Sequence, residues 1–306
     1  MNRMVFTADG DGERIDAFLN ERIPDFSRSY LQKLIKTSCV TINGKAAAKS
    51  SCRLVSDDIV NIEIPDEVKP DICPEPIPLD ILYEDGDLLV VNKPKGMVVH
   101  PAAGHYSGTL VNALLYHCDG CLSGINGVLR PGIVHRIDRD TTGSLVVCKN
   151  DLAHRALAEQ LKNHTICRRY RAIVHGRIFD DEGTVDAPVG RHPTDRKKMA
   201  INHKNGKNAI THYQVLQRFS SFTYIECSLE TGRTHQIRVH MASLGHPLLG
   251  DLVYGPAKSP FRHLEGQCLH AMTLGFVHPR TGDYMECVAP LPEYFEILLD
   301  KLQKII

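Results

Sequence analysis

The sequence predicts an α+β protein in which a large domain on a mostly antiparallel mixed sheet follows a small N-terminal one. Three observations carry this. First, residues 65–78, PDEVKPDICPEPIP, hold five prolines and no helical or strand period, which reads as a stiff extended segment. It divides the chain into a domain over 1–65, a linker over 66–78 and a domain over 79–306. Second, the N-terminal part carries helical repeats followed by short alternating strands. Third, strand-like and helical stretches beyond the linker do not alternate regularly as βαβ units, which favours an antiparallel sheet.

In chain order, Ile15, Phe18, Leu19 and Ile23 recur at helical spacing, and a second helix starts at the cap candidate Ser27. That helix sets Leu31, Leu34 and Ile35 within about 100 degrees of one another, with Arg28, Lys33 and Lys36 opposite. One face packs; the basic face is either simply solvated or a grip on an anionic backbone. VTINGK and DIVNIEI read as two strands with a turn at Asn43 and Gly44. Beyond the linker, strands are expected in DILYEDGDLLVVNKP, GSLVVCK, YRAIVHG and FTYIECSLE, and helices near 109–117, 152–162 and 234–245.

Composition narrows the function classes. The apolar runs LLVV at 88–91 and SLVVC at 144–148 are too short to cross a bilayer and the N-terminus lacks a signal-peptide core, so a cytoplasmic protein with no membrane partner is expected. The ten cysteines should be reduced thiols. Cys118 and Cys121, in CDGC, have no second ligand pair at zinc spacing, so no metal is expected. With neither a dinucleotide fingerprint nor a Walker loop, no cofactor is expected either. Lys plus Arg equals Asp plus Glu at 36 each, so only local clustering speaks for nucleic acid. One cluster runs from Lys162 to Arg177 through Arg168, Arg169 and Arg171. Another runs from Arg191 to Lys207 through Arg196, Lys197 and Lys198. Each is a solvated face or a phosphate contact.

Three segments are chemically distinctive. RIDRDTTG is an Asp-rich loop between apolar runs, either a turn capped by Asp138 or Asp140 or a reactive loop held by rigid neighbours. It is not a kinase loop, which needs Asp directly after His-Arg. In TGRTHQIRVHMASLGHPLLGD, residues 234–245 read as a largely buried helix, and a buried Arg238 requires a carboxylate partner. An Asp in a reactive loop, so paired, would be held charged and oriented. Finally, Tyr170 in RRYRAIVHG is a strand tyrosine suited either to packing or to stacking on an extruded base.

HRIDRDTTG, preceded by EDGDLLVVNKPKGMVVHP and followed by RRYRAIVHG, GRHPTDRKKMA, TGRTHQIRVH and LGHPLLGD, resembles the pseudouridine synthase family that acts on large-subunit ribosomal RNA and some transfer RNAs. The likeness spans roughly residues 80–280, and the order of elements over residues 13–65 resembles the S-four-like (αL) RNA-binding domain. It implies isomerisation of uridine to pseudouridine in a flipped-out nucleotide, by an aspartate that either attacks the sugar or deprotonates a sugar intermediate. It further implies that Asp138 is the catalytic aspartate, Tyr170 the active-site tyrosine, Arg238 the basic partner of the aspartate, Arg136 the residue filling the gap left by the base, and Leu269 the apolar residue beneath it. Arg28, Lys33, Lys36, Arg191, Arg196, Lys197 and Lys198 would hold the RNA backbone. Ile137 stands where the family commonly has Leu. RNA is thus the expected partner, ribosomal ahead of transfer RNA, with the protein a monomer. Two other classes stay open: an inactive RNA-binding ribosome-assembly factor, and a glycosidase-like hydrolase pairing Asp138 with Asp140.

Overall fold

The computed structural model describes residues 2–65, 72–102, 105–127, 130–195, 198–258 and 261–304. The chain divides into two compact units, Met1–Lys69 and Pro70–Ile306.

The first unit runs β1 (Asn2–Thr7), α1 (Ile15–Arg22), α2 (Arg28–Lys36), β2 (Val40–Ile42), β3 (Lys45–Ala46) and β4 (Ile59–Ile64). Its four strands form an antiparallel sheet in the order β1-β4-β2-β3. Ile15, Phe18 and Leu19 of α1 and Leu31, Leu34 and Ile35 of α2 are buried with Val40, Val60 and Ile62 of the sheet. Ser27 caps α2 by accepting the Tyr30 N–H. Asn43 and Gly44 both have positive φ, 50° and 79°, the backbone a two-residue hairpin needs. Asp16 is fully buried and accepts from Arg14 Nε (3.0 Å), Arg28 Nε (3.2 Å) and Gln32 Nε2 (2.6 Å). Arg14 first, then Arg28 and Gln32, hold its carboxyl well below the usual carboxylate range against the cost of burial. On the expected basic face Arg28 also pairs with Asp16, while Lys33 and Lys36 are exposed.

The second unit runs β5 (Ile81–Glu84), β6 (Leu88–Lys93), α3 (Leu110–His117), β7 (Thr142–Cys148), α4 (Asp151–Lys162), β8 (Cys167–His175), β9 (Glu182–Asp186), β10 (Val189–Arg191), β11 (Met199–Ile201), β12 (Ile210–Arg218), β13 (Phe222–Leu229), α5 (Gln236–Ser243), β14 (Leu269–Val277), β15 (Tyr284–Val288) and α6 (Glu293–Gln303). The main sheet is ordered β5-β6-β7-β14-β8-β13-β12-β9, with β15 on β14, and β10 and β11 form a separate pair. Among the described residues its one parallel pairing is β7 with β14; the others are antiparallel.

Both faces of the sheet are covered, which is why β6 and β7 read as continuous apolar runs. On one face Leu89, Val91, Leu145, Val147, Ala172 and Ile225 pack with Leu110 and Leu114 of α3 and Ile237 and Met241 of α5. On the other, Leu88, Val90, Val146 and Phe276 pack with Ala153 and Leu157 of α4, while Phe295, Leu298 and Leu302 of α6 pack with Ile173.

Residues 66–71 of the expected linker lie outside the described residues. The rest of it, 72–78, joins the second unit instead of standing clear. Ile72 is buried, the Cys73 carbonyl accepts from Asn112 Nδ2 (2.8 Å), and the Glu75 carboxylate accepts the Gly108 N–H (3.0 Å). The helix expected over 234–245 is also shorter. His235 adopts a left-handed backbone (φ 57°), so helical geometry cannot start before Gln236, and Leu244 falls outside it, 43% exposed.

Candidate active site

The segment HRIDRDTTG leads into β7 as an irregular loop fastened at several points. Lys93, at the end of β6, is fully buried and donates to the carbonyls of Pro94 (2.8 Å), Met97 (2.9 Å) and Arg139 (2.9 Å), which ties the residue after Asp138 to the sheet. Burial lowers the Lys93 pKa to about 7, against the opposing pull of Asp140 and Asp138. Within the loop the Thr141 N–H donates to the Asp138 carbonyl (3.1 Å), and Gln267 Nε2 donates to Thr141 Oγ1 (2.9 Å). The loop leaves through Gly143, whose φ is 108° and whose place a Cβ could not share, since it would stand 2.3 Å from the Ala271 carbonyl oxygen. That contact is where β7 meets β14, His270 beside Thr142 and Ala271 beside Gly143.

Arg238 lies between two carboxylates. Its Nη1 donates to Asp138 Oδ2 (2.9 Å), while Nε and Nη2 donate as a fork to Asp251 Oδ2 (2.7 Å) and Oδ1 (3.0 Å). Asp251 is itself buried and accepts the N–H groups of Val253 (2.8 Å) and Tyr254 (3.0 Å). Although burial opposes its charge, the hydrogen bonds and charges of Asp251 and Asp138 lift Arg238 further above its ordinary pKa. The guanidinium is therefore fixed by Asp251 and fixes Asp138 in turn. No hydrogen bond from the described residues reaches Oδ1 of Asp138, which leaves that oxygen available.

Asp138 opens onto a cavity of about 320 Å³ shared with Arg136, Ile137, Arg168, Tyr170, His235 and Leu269. Tyr170 and Ala271 are directly opposed on β8 and β14, as are Ala172 and Leu269, so Tyr170 and Leu269 lie on one face of the sheet. Both are buried in the core beneath the cavity. Burial pushes the Tyr170 hydroxyl up, with Arg168 opposing and Asp138 adding to the rise, which favours the protonated phenol. Arg136 is exposed and borders this cavity and a second one of about 370 Å³ lined by His100, Ala102 and Gln267, with the Asp138–Arg238 pair between them.

The sequence did not single out His235, Tyr254, Asp251 or Lys93. His235 Nε2 lies 3.9 Å from Asp138 Oδ2, and its Nδ1 is 2.8 Å from the Tyr254 hydroxyl, which accepts the Met199 N–H. Burial lowers the His235 pKa, with Asp138 opposing, so the ring beside Asp138 favours its neutral form. Asp251 sat in the quoted block LGHPLLGD and Lys93 in VVNKPKG, but only their buried, many-bonded positions reveal their part.

The basic runs fare unevenly. Alternation along β8 splits the first one: Arg169 pairs with Glu286 (2.9 Å) and Arg171 with Glu226 (3.0 Å) on one side of the strand, while Arg168 turns to the buried side. Of the two readings left open for this acid-free stretch, the ion pairs of Arg169 and Arg171 with neighbouring strands favour the solvated face. In the second run Arg191 is exposed and Lys198 half-buried, and Arg196 and Lys197 lie outside the described residues. Cys118 is buried and Cys121 exposed, both as free thiols.

A carboxylate anchored on one oxygen and open on the other, beside a buried phenol and an apolar side chain, suits chemistry on a planar base and its sugar. The hydrolase alternative needs a second reachable carboxylate across the scissile bond. Asp251 has no exposed side-chain surface, and Asp140 is held by Arg139 (2.9 Å). No helix among the described residues is long and apolar enough to cross a membrane.

Comparison with known proteins bears on the same segment. Residues 87–243 match the RNA pseudouridylate synthase family. An uncharacterized RNA pseudouridine synthase of Bacillus subtilis is 54% identical over 99% of this chain and 99% of its own. The ribosomal large subunit pseudouridine synthase D of Zymomonas mobilis is 48% identical over 98% of this chain and 97% of its own. Among solved structures, human RNA pseudouridylate synthase domain containing 1 superimposes with a TM-score of 0.58 at 26% identity, covering 74% of this chain and 95% of that one. The matched segment contains Asp138, Tyr170 and Arg238, and the chain belongs to the RNA pseudouridylate synthase family.

Proposed function

We propose that the chain isomerises uridine to pseudouridine in large-subunit ribosomal RNA, with Asp138 as the reacting group. The observation that carries this is the Asp138 carboxylate, anchored through Oδ2 on a guanidinium that Asp251 immobilises, at a cavity that it lines together with Tyr170, Leu269 and Arg136. The relatives named for the large ribosomal subunit, matched along nearly their whole length, support this RNA over transfer RNA.

The target nucleotide leaves its stack, because the bond between base and ribose cannot be reached inside one. Tyr170 and Leu269, on one face of the sheet, form the floor on which the ring rests, with stacking offsetting about 1 to 3 kcal/mol of the unstacking cost. Arg136, exposed at the rim, fills the space the base vacated. Oδ1 of Asp138 meets the sugar, the ring turns in place, and carbon 5 takes the bond that nitrogen 1 gave up. The first unit acts as an S-four-like RNA-binding module through Lys33 and Lys36, with Arg28 sharing its charge with Asp16; Arg191, Arg196, Lys197 and Lys198 add backbone contacts from the second. The protein works in the cytoplasm as a monomer.

The test is pseudouridine mapping of total RNA from cells carrying the wild-type gene, none, or Asp138→Ala. A large-subunit uridine should be modified only with the wild type. Modification restricted to transfer RNA would move the substrate, and an unchanged map in all three would leave an RNA-binding protein without catalysis.

A further inference from the structure

Arg168 is a buried charge at the cavity that no carboxylate among the described residues pairs with. On β8 it alternates with the outward-facing Arg169 and Arg171, which meet Glu286 and Glu226, and it shares its buried side with Tyr170. Only 8% of it is exposed. Nη2 donates to the Glu230 carbonyl (2.8 Å), Nε is buried without a hydrogen bond, and no carboxylate among the described residues lies within ion-pair distance. Its charged surroundings make matters worse. Arg233 also lines the cavity, and the nearby His135 ring is kept neutral, its pKa lowered to about 3 by burial and by Arg168 itself. The backbone has nevertheless been shaped to admit the guanidinium, because a Cβ on Gly232 would stand 2.6 Å from Nη1. A buried charge with one donor open and no counter-ion within reach is costly, and an anion arriving in the cavity would offset that cost.

We propose that Arg168, which lines the cavity, stabilises the negative charge that develops on the uracil ring when its bond to the ribose breaks, by donating a guanidinium N–H to a ring carbonyl oxygen. This rests on the reading that a uridine is isomerised in this cavity. As the N1–C1′ bond breaks, its electron pair leaves with nitrogen 1 and spreads onto the ring oxygens, giving a uracil anion. Rotation brings carbon 5 to C1′, a new bond forms there with an electron pair from the ring, and the proton leaves carbon 5 while nitrogen 1 takes one up. Atoms and charge balance without an added reactant, and Arg168 transfers no proton. It makes an interaction strongest while the base is detached, so its contribution belongs to the rate and not to RNA affinity.

Arg168→Gln and Arg168→Lys should be compared with wild type and Asp138→Ala in single-turnover pseudouridine formation on the mapped RNA, alongside RNA affinity across a salt series. Arg168→Gln should lower the rate at saturating RNA by about 10² to 10³, the loss expected for one donor to a developing oxyanion. Affinity should stay within a few-fold, and Arg168→Lys should recover part of the rate. A wild-type rate in Arg168→Gln overturns the inference. So does a variant that binds more weakly, with its salt slope reduced by about one, yet turns over normally once saturated, because the anion would then be a backbone phosphate. Should Arg168→Gln fail to fold by circular dichroism, Gly232→Ala displaces the same guanidinium without removing it; slower turnover at unchanged affinity is expected, and a folded variant at the wild-type rate overturns the inference. A wild type that forms no pseudouridine removes the parent reading and this one together, whereas an active wild type beside an unaffected Arg168→Gln removes this one alone.

Discussion

At the scale of residues, the site is a chain of fixed charges. Asp251 takes two donors of Arg238 in a fork and leaves one for Asp138, so a residue far from the base sets where the reacting oxygen stands. Removing one partner of a buried ion pair typically costs about 3 to 5 kcal/mol. Asp251→Ala should therefore lower unfolding stability by that order in urea titration and cut pseudouridine formation sharply, although Asp138 is untouched. Lys93 gives a different signature. Burial lowers its folded pKa to about 7, below the value of an unfolded chain, so between pH 7 and roughly 10 the unfolded state holds the extra proton and stability rises with pH. Below that window both states are protonated and the slope vanishes. Wild type should gain unfolding free energy relative to Lys93→Met as pH is raised from 7 to 10. A constant gap would mean that the three carbonyls keep the ammonium charged.

At the scale of elements, the tightest join is β7 against β14. Gly143→Ala would place a methyl on the Ala271 backbone in a left-handed conformation, and a loss of more than about 2 kcal/mol is expected by denaturant unfolding, with reduced turnover. Elements with an unambiguous period or cap were legible in the sequence. The second helix with its Ser27 cap is one case, and the double-covered runs of β6 and β7 are another. β9, β12 and β15 were not, because no clean alternation of apolar and polar residues marks them and only cross-strand neighbours define them. The true start of α5 was hidden in one left-handed residue, His235, a conformation no apolar pattern encodes. The pairing of Arg238 with Asp138 could be argued from the cost of burying a guanidinium. Asp251 could not, since nothing in its neighbours distinguishes a fully buried carboxylate from a surface one. The basic run through β8 stayed open between two readings because its compensating acids, Glu226 and Glu286, lie on other strands.

At the scale of the whole molecule, net charge is zero and RNA affinity must come from local surfaces. Deleting residues 1–65 should weaken RNA binding and flatten its dependence on salt, while the remaining chain keeps the Asp138 site; filter binding at several ionic strengths checks this, and unchanged affinity would remove the RNA role of the first unit.

The two halves of the reactive pair lie 100 residues apart in the chain, and the strand that closes the cavity, β14, comes later still. At the roughly 5 to 20 residues per second of synthesis, Asp138 emerges several seconds before Arg238 exists to restrain it. The Asp138 carboxylate therefore gains its anchor, and the cavity its closing strand, only as the last third of the chain is made.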